Sequence, residues 1–152
     1  MQLVGEHDGV RYYDDSKATN PHATASALAG FEHVVLIAGG RNKALDLGGL
    51  RTHSTRLRAV VAIGEAAGEV EAAFSGAVSV VRAASMHDAV RAAAELARPD
   101  DAVLLSPACA SFDWYESYAA RGDDFAREVR LLTAPPPWPN GEPTPCSNRG
   151  SA

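Results

Sequence analysis

The five residues Val34-Val35-Leu36-Ile37-Ala38 constrain the fold more than any other segment. They form an unbroken apolar run with no polar alternation, closed by Gly39-Gly40. Successive side chains of a strand point to opposite faces, so a strand with one solvated face alternates apolar and polar residues. An unbroken run needs cover on both faces, as in the parallel sheet of an α/β protein. The run is far too short to cross a bilayer, which takes about 20 apolar residues.

Four more short apolar runs read as strands, at residues 10–13, 59–64, 78–81 and 102–105. Helical patterns lie between them. Asn20-Pro21 ahead of residues 23–28 reads as an N-cap followed by proline in the first helical position, and Gly30 as the stop. Further helices are expected over 47–57, 65–74 and 89–97, the last opened by Ser85 with Asp88 three residues on. A final helical region, 114–132, is expected to be interrupted near Gly122. This alternation predicts an α/β domain over residues 1–134. Its architecture would be Rossmann-like: a mostly parallel sheet of five or six strands, helices on both faces and right-handed crossovers. From Pro135 to Ala152 six of eighteen residues are proline and the apolar periodicity stops, so a disordered tail is expected, with Trp138 exposed in it.

The composition narrows the function. A formal net charge of -5 disfavours nucleic-acid binding. The two cysteines, Cys109 and Cys146, make no disulfide framework, and residues 1–8 lack the features of a signal peptide. A cytoplasmic protein without a membrane association is expected. The five histidines are scattered and show no paired helical spacing, so no metal site is expected. Cys109 reads as a small buried thiol, and Tyr12, Tyr13, Phe125 and Val129 as core.

In open α/β sheets ligands bind beyond the carboxyl ends of the strands. Three polar or glycine-rich segments follow strands here: Asp14-Asp15-Ser16-Lys17-Ala18-Thr19-Asn20, Gly39-Gly40-Arg41-Asn42-Lys43, and Ser106-Pro107-Ala108-Cys109-Ala110-Ser111-Phe112-Asp113. Lys17 and Lys43 offer ammonium groups, and Thr19, Ser106 and Ser111 offer hydroxyls. The helix starting near Asn20 offers free amides. Together they suit a small carboxylate or a phosphate. Asp15 suits a ligand ammonium, a hydroxyl or a metal-bound water. Blander roles stand beside these. The glycines serve any tight connection, Lys17 can pair with Asp14 or Asp15, and Ser111 or Asp113 can cap the last helix. The spacing around Gly39-Gly40 is not that of a P-loop, which excludes nucleotide hydrolysis built on that segment alone.

These segments do more than look polar. Asp15-Ser16-Lys17-Ala18-Thr19-Asn20, then Leu36-Ile37-Ala38-Gly39-Gly40 with Lys43, then Leu105-Ser106-Pro107-Ala108-Cys109-Ala110-Ser111-Phe112-Asp113 and Arg121-Gly122-Asp123-Asp124-Phe125 follow in order. Over residues 6–132 this closely resembles the C-terminal domain of the Mur ligase family, in its D-glutamate-adding branch. Folylpolyglutamate synthetases share the fold and part of the pattern. The resemblance implies an ATP-dependent ligase of peptidoglycan synthesis. ATP phosphorylates the carboxylate of UDP-N-acetylmuramoyl-L-alanine, and the amine of D-glutamate then attacks the acyl phosphate. It implies D-glutamate contacts at Thr19, Lys43, Ser111 and the backbone around Tyr118. Lys17 would lie near the reacting phosphate, and Asp15 would contact the nucleotide ribose. A full ligase would add an N-terminal domain for the UDP sugar and a central domain that mainly holds ATP and Mg, and the central domain's P-loop and modified lysine have no counterpart in this chain. A fragment, a truncated frame or half of a split protein is therefore expected, without ligase turnover alone. The alternative is a free-standing, non-catalytic binding or interaction module of the same fold, or a domain of another Mur or folylpolyglutamate-type ligase.

Overall fold

The computed structural model describes residues 1–134; the proline-rich segment expected to be disordered, with Trp138, lies outside them. The chain begins with an antiparallel hairpin of β1 (Gln2–His7) and β2 (Val10–Asp14). Its two-residue turn, Asp8-Gly9, has both φ angles positive (52° and 77°), the conformation that matches the twist of a tight hairpin. There follow α1 (Pro21–Leu28), β3 (Val34–Gly39), a 3-10 segment (Gly48–Arg56), β4 (Leu57–Ile63) and α2 (Ala67–Phe74). β5 (Val80–Ala83), α3 (Met86–Leu96), β6 (Ala102–Ala108) and α4 (Tyr118–Thr133) complete the described chain.

The six strands form one sheet in the order β1-β2-β6-β3-β4-β5, and every pairing except β1 with β2 is parallel. The unbroken apolar run lies in β3, where all six residues are buried. Its side chains divide between two cores. Val34, Leu36 and Ala38 pack with Leu28 of α1, Leu50 of the 3-10 segment and Val70 and Phe74 of α2. Val35 and Ile37 pack on the other face with Met86, Val90 and Ala93 of α3 and Phe125 and Val129 of α4. The expected α/β architecture with helices on both faces is thus what forms. Tyr12, Phe125 and Val129 are buried as expected, while Tyr13 is half-buried against the Phe31 ring at 5.2 Å.

The chain steps outward from β2 to β3, β4 and β5 over one face, then returns through α3 on the other. This is the change of face that right-handed crossovers require when the direction of travel reverses. The return inserts β6 between β2 and β3, so the carboxyl ends of β2, β6, β3 and β4 stand side by side.

Some expectations need correction. The stretch 47–57 is 3-10, not α: Gly48-Gly49 favour helix poorly, and Thr52 and Ser54 donate their hydroxyls to the carbonyls of Gly49 and Arg51. The last helix begins at Tyr118, capped by Ser117, whose hydroxyl accepts from the Ala120 amide at 3.1 Å. Neither Ser111 nor Asp113 is its cap. It also runs unbroken through Gly122, where a side chain would collide with Asp14 and Ser16; the glycine admits the loop after β2 and does not stop the helix. The strand β1 had no clear signal in the sequence, because as an edge strand it keeps no fully buried residue.

At the opposite, amino-terminal end of the sheet, Arg58 and Asp101 form a two-pronged ion pair with both distances 2.9 Å. Asp101 also accepts the Arg98 amide at 2.8 Å, and its side chain is 2% exposed. The bonds from Arg58, reinforced by the Arg98 amide against the opposing effect of burial, hold the Asp101 carboxyl below the usual carboxylate range. A lowered folded pKa gives stability that is present above the unfolded value and lost as pH falls through the folded one. The urea midpoint of wild type is therefore expected to exceed that of Asp101→Asn at neutral pH, with the gap closing as pH drops below about 4. Paired urea titrations across this range check it, and a gap that ignores pH would contradict it.

Candidate functional site

The loops at the carboxyl ends of β2, β3, β4 and β6 are tied to one another by backbone bonds. The Asp15 amide donates to the Leu105 carbonyl at 2.8 Å, and the Ala108 amide to the Ala18 carbonyl at 3.0 Å, joining the β2 loop to β6. Arg41 and Ala110 exchange both amide–carbonyl bonds, at 2.8 and 3.1 Å, in a short antiparallel bridge that joins the β3 and β6 loops. Gly40 donates to Ile63 at 3.1 Å and accepts from Ala66 at 2.8 Å, which brings in the β4 loop. Asp113 adds a side-chain tie: its carboxylate accepts the amides of Glu65 and Trp114, both at 3.0 Å.

Gly40 is required by this geometry. Its φ is +126°, and an added Cβ would collide with the Ala110 carbonyl oxygen and approach Arg121 Nη1 to 3.1 Å. Ala108 adopts a left-handed φ of 63° where β6 leaves the sheet, a conformation that costs roughly 1–2 kcal/mol for a residue with a Cβ. The loop is thus held by its neighbours in a conformation it would not adopt alone.

The tied loops enclose a cleft of about 260 Å³. Thr19 lines it from the β2 loop, Lys43 from the β3 loop, Ser111 from the β6 loop and Tyr118 from the start of α4. Arg41 and Ala110 contribute the bridge side, and Leu45 and Phe112 an apolar wall. All four residues expected to contact one amino acid therefore face a single cavity. Its volume lies below the about 300–1,000 Å³ of drug-sized pockets, which suits a small ligand.

The charges within it differ in availability. Arg41 is engaged by Glu65 through two bonds of 3.2 Å. Among the described residues no carboxylate lies within ion-pair distance of Lys43, whose Nζ stands over the Phe112 ring at 5.5 Å from the centroid. Among the described residues Lys43 is thus the free cation of the cleft. Lys17 also has no carboxylate partner among the described residues, so its blander alternative, an ion pair with Asp14 or Asp15, does not form. It is exposed, two residues before Thr19, and does not line the cleft. Asp15 does not line it either: its carboxylate accepts the Ser106 hydroxyl at 2.8 Å. Ser106 belongs to β6, is fully buried and also bonds Thr24, so it serves the fold and is not a ligand donor. Asn20 caps α1 as expected, accepting the Ala23 amide at 2.9 Å.

Two residues near the site stood inside the sequence motifs without a role of their own. Arg41 was legible only as part of a glycine-rich segment. Arg121 is 1% exposed, and donates from Nη1 to the Cys109 carbonyl at 3.0 Å and from Nη2 to the Ser16 carbonyl at 2.9 Å. Nothing in helical periodicity marks an arginine as buried. Cys109 itself is buried, which pushes its thiol up to about 11. Among the described residues, no group of three His, Cys, Asp or Glu side chains could hold a metal, and no helix is long and apolar enough to cross a membrane.

The fold is a mostly parallel α/β sheet with this cleft at the carboxyl ends of its strands, the place where open α/β sheets hold their ligands. The chain belongs to the Mur ligase family: the profile of the Mur ligase glutamate ligase domain matches residues 1–109. It is 53% identical over 134 residues to the UDP-N-acetylmuramoylalanine–D-glutamate ligase of Desulfosudis oleivorans, covering 87% of this chain and 29% of that one. The ligases of the same name from Frankia casuarinae and Pseudomonas aeruginosa are 55% and 49% identical, over 81% and 86% of this chain and 27% and 31% of theirs. The chain thus spans under a third of the length of these relatives. Among solved structures, a murein peptide ligase from Psychrobacter arcticus shares the fold with a TM-score of 0.58 at 15% identity, over 89% of this chain and 30% of that one. A single crystallised domain from Haemophilus ducreyi matches with a TM-score of 0.61 at 16% identity, over 88% of this chain and 98% of that domain.

Two outcomes follow from the local packing. Gly40→Ala is expected to lower stability by about 1–3 kcal/mol or more and to speed amide exchange at Arg41 and Ala110, read by urea unfolding and hydrogen exchange. With Cys146 replaced by serine, Cys109 is expected to stay unreactive toward an aromatic disulfide reagent near pH 8 until denaturant is added, since burial denies it both access and thiolate. Rapid native labelling would contradict the packing described.

Proposed function

We propose that this domain binds the incoming D-glutamate for a ligase that extends UDP-N-acetylmuramoyl-L-alanine. The observation that carries the reading is the meeting of Thr19, Lys43, Ser111 and Tyr118 around one small cleft whose cation is free, in a chain whose relatives are named for D-glutamate ligation.

A dicarboxylate leaves water only if charge-assisted bonds replace its hydration. In this reading Lys43 takes one carboxylate, with the hydroxyls of Thr19 and Ser111 as further donors. The backbone near Tyr118 closes the other side. The amine must then face outward, toward the carboxyl carbon it will attack. In the same reading Lys17, exposed two residues before Thr19 and without a carboxylate partner among the described residues, supplies an ammonium to the phosphoryl oxygens of the activated carboxylate. Asp15, at the base of the same loop, is the candidate contact to the nucleotide ribose. ATP activates the partner carboxylate, and magnesium accompanies it. In this reading the metal is held mainly by the other domains of the ligase. The chain's contribution is positioning and charge stabilisation. The N-terminal and central ligase domains are its partners, and the cytoplasm is the compartment that holds these substrates.

Titration calorimetry tests the reading directly. D-glutamate is expected to bind more tightly than L-glutamate. Lys43→Ala is expected to weaken binding roughly 10- to 100-fold, from about 1.5–3 kcal/mol for a charge-assisted hydrogen bond. An unchanged affinity in Lys43→Ala, or no binding of D-glutamate by the wild type, would sink the assignment.

A further inference from the structure

Arg121 lies in the first turn of α4, one turn beyond Tyr118, and is among the most buried side chains of the molecule. A buried guanidinium ordinarily meets a carboxylate. Among the described residues none stands within ion-pair distance of this one; Asp113 and Asp14 act on it only from farther away. Its two terminal nitrogens donate to backbone carbonyls, and Nε has no partner among the described residues. Burial pulls the group down to about 10, so it remains charged at neutral pH.

An apolar side chain of similar volume would occupy this place without that desolvation. What it could not do is join segments far apart in sequence. The Ser16 carbonyl lies between Asp15 and Lys17 and three residues before Thr19. The Cys109 carbonyl lies two residues before Ser111. A Cβ on Gly40 would come within 3.1 Å of Nη1, so the strand end that leads to Lys43 packs on the same group. All three loops that line the cleft thus rest on one planar, multi-donor head whose fork fixes the spacing between its acceptors.

We propose that Arg121 is the positioning residue of the amino-acid cleft, setting the separation between the loop of Lys17 and Thr19 and the loop of Ser111. It acts through backbone carbonyls and touches no substrate. The inference rests on the reading of the cleft as a D-glutamate site.

Arg121→Met keeps volume and removes both bonds, whereas Arg121→Lys keeps the charge but donates from a single nitrogen. Each variant is checked for folding by its amide proton spectrum, then titrated with D-glutamate and followed by hydrogen exchange. Arg121→Met is expected to bind about 10-fold more weakly or worse, with Arg121→Lys between it and wild type. Exchange should quicken at residues 16–19 and 109–111 while the amides of β3 and β4 keep their protection. A folded Met variant that binds within about twofold of wild type, or faster exchange spread evenly over the sheet, overturns the proposal and leaves a core residue. If the Met variant does not fold, the Lys variant decides by the same two readings. If wild type binds no D-glutamate, the reading of the cleft fails, and loop-confined exchange still decides for or against the bracket.

Discussion

Two peptide units at Gly39-Gly40 are pressed between the chain leaving β4 and the chain leaving β6. A side chain at Gly39 would strike the Ile63 carbonyl, and one at Gly40 the Ala110 carbonyl. Because neither has one, the backbone can bond on both sides at once, to Ile63 and Ala66 through Gly40 and to Ala110 through Arg41. The unbroken apolar strand that ends here supplies the other half of the constraint. With every residue of β3 buried, the strand cannot slide or tilt, and its end enters the crevice at one fixed place. The position of Lys43 follows from that anchoring.

The site then depends on which strand lies beside β3. The loops of β2 and β6 are more than 80 residues apart in sequence, yet parallel pairing sets Asp14 opposite Leu105 and Ile37 opposite Leu105. Had β6 joined at an edge, Ser111 and Thr19 would face different neighbours. Insertion between β2 and β3 gives them a common wall and lets Arg121 reach both loops from α4. A local excess of donors within an acidic chain is the result: a net charge of -5 belongs to the whole surface, while the cleft has its own free ammonium.

Much of this was legible in the sequence, for reasons that can be named. The buried strands announced themselves because a two-faced strand leaves no polar positions, and Asn20 and Ser85 marked helix starts because their side chains cap orphan amides. The edge strand β1 was not legible, since a strand covered on one side only in part carries a diluted pattern. Gly122 misled because glycine reads as a helix breaker, and only the tertiary approach of Asp14 and Ser16 reveals why it is there. The motif order placed the cleft residues on three loops, but which loops touch is a property of strand order, and that is decided by long-range pairing.

The polar residues of the three loops separate into two sets that look alike on paper. Ser106, Asp15, Asp113 and Arg121 are as polar as Ser111, Lys17 and Lys43: Ser106 repeats the hydroxyl of Ser111, Arg121 repeats the positive charge of the lysines, and the two aspartates add carboxylates. In the fold the first set spends its hydrogen-bonding capacity inside the molecule, on Thr24, Ser106, Glu65 and the carbonyls of Ser16 and Cys109. The second set contains the two lysines that no carboxylate engages among the described residues. A buried polar group without a partner is destabilising, so Ser106 is buried with its hydroxyl bonded to Asp15 and Thr24, and Arg121 with both terminal nitrogens bonded to carbonyls. An ammonium at the surface is under no such demand and can wait for a ligand. Side-chain identity gives the chemistry a residue can perform; whether it is free to perform it depends on how far the surrounding backbone has already used its donors and acceptors.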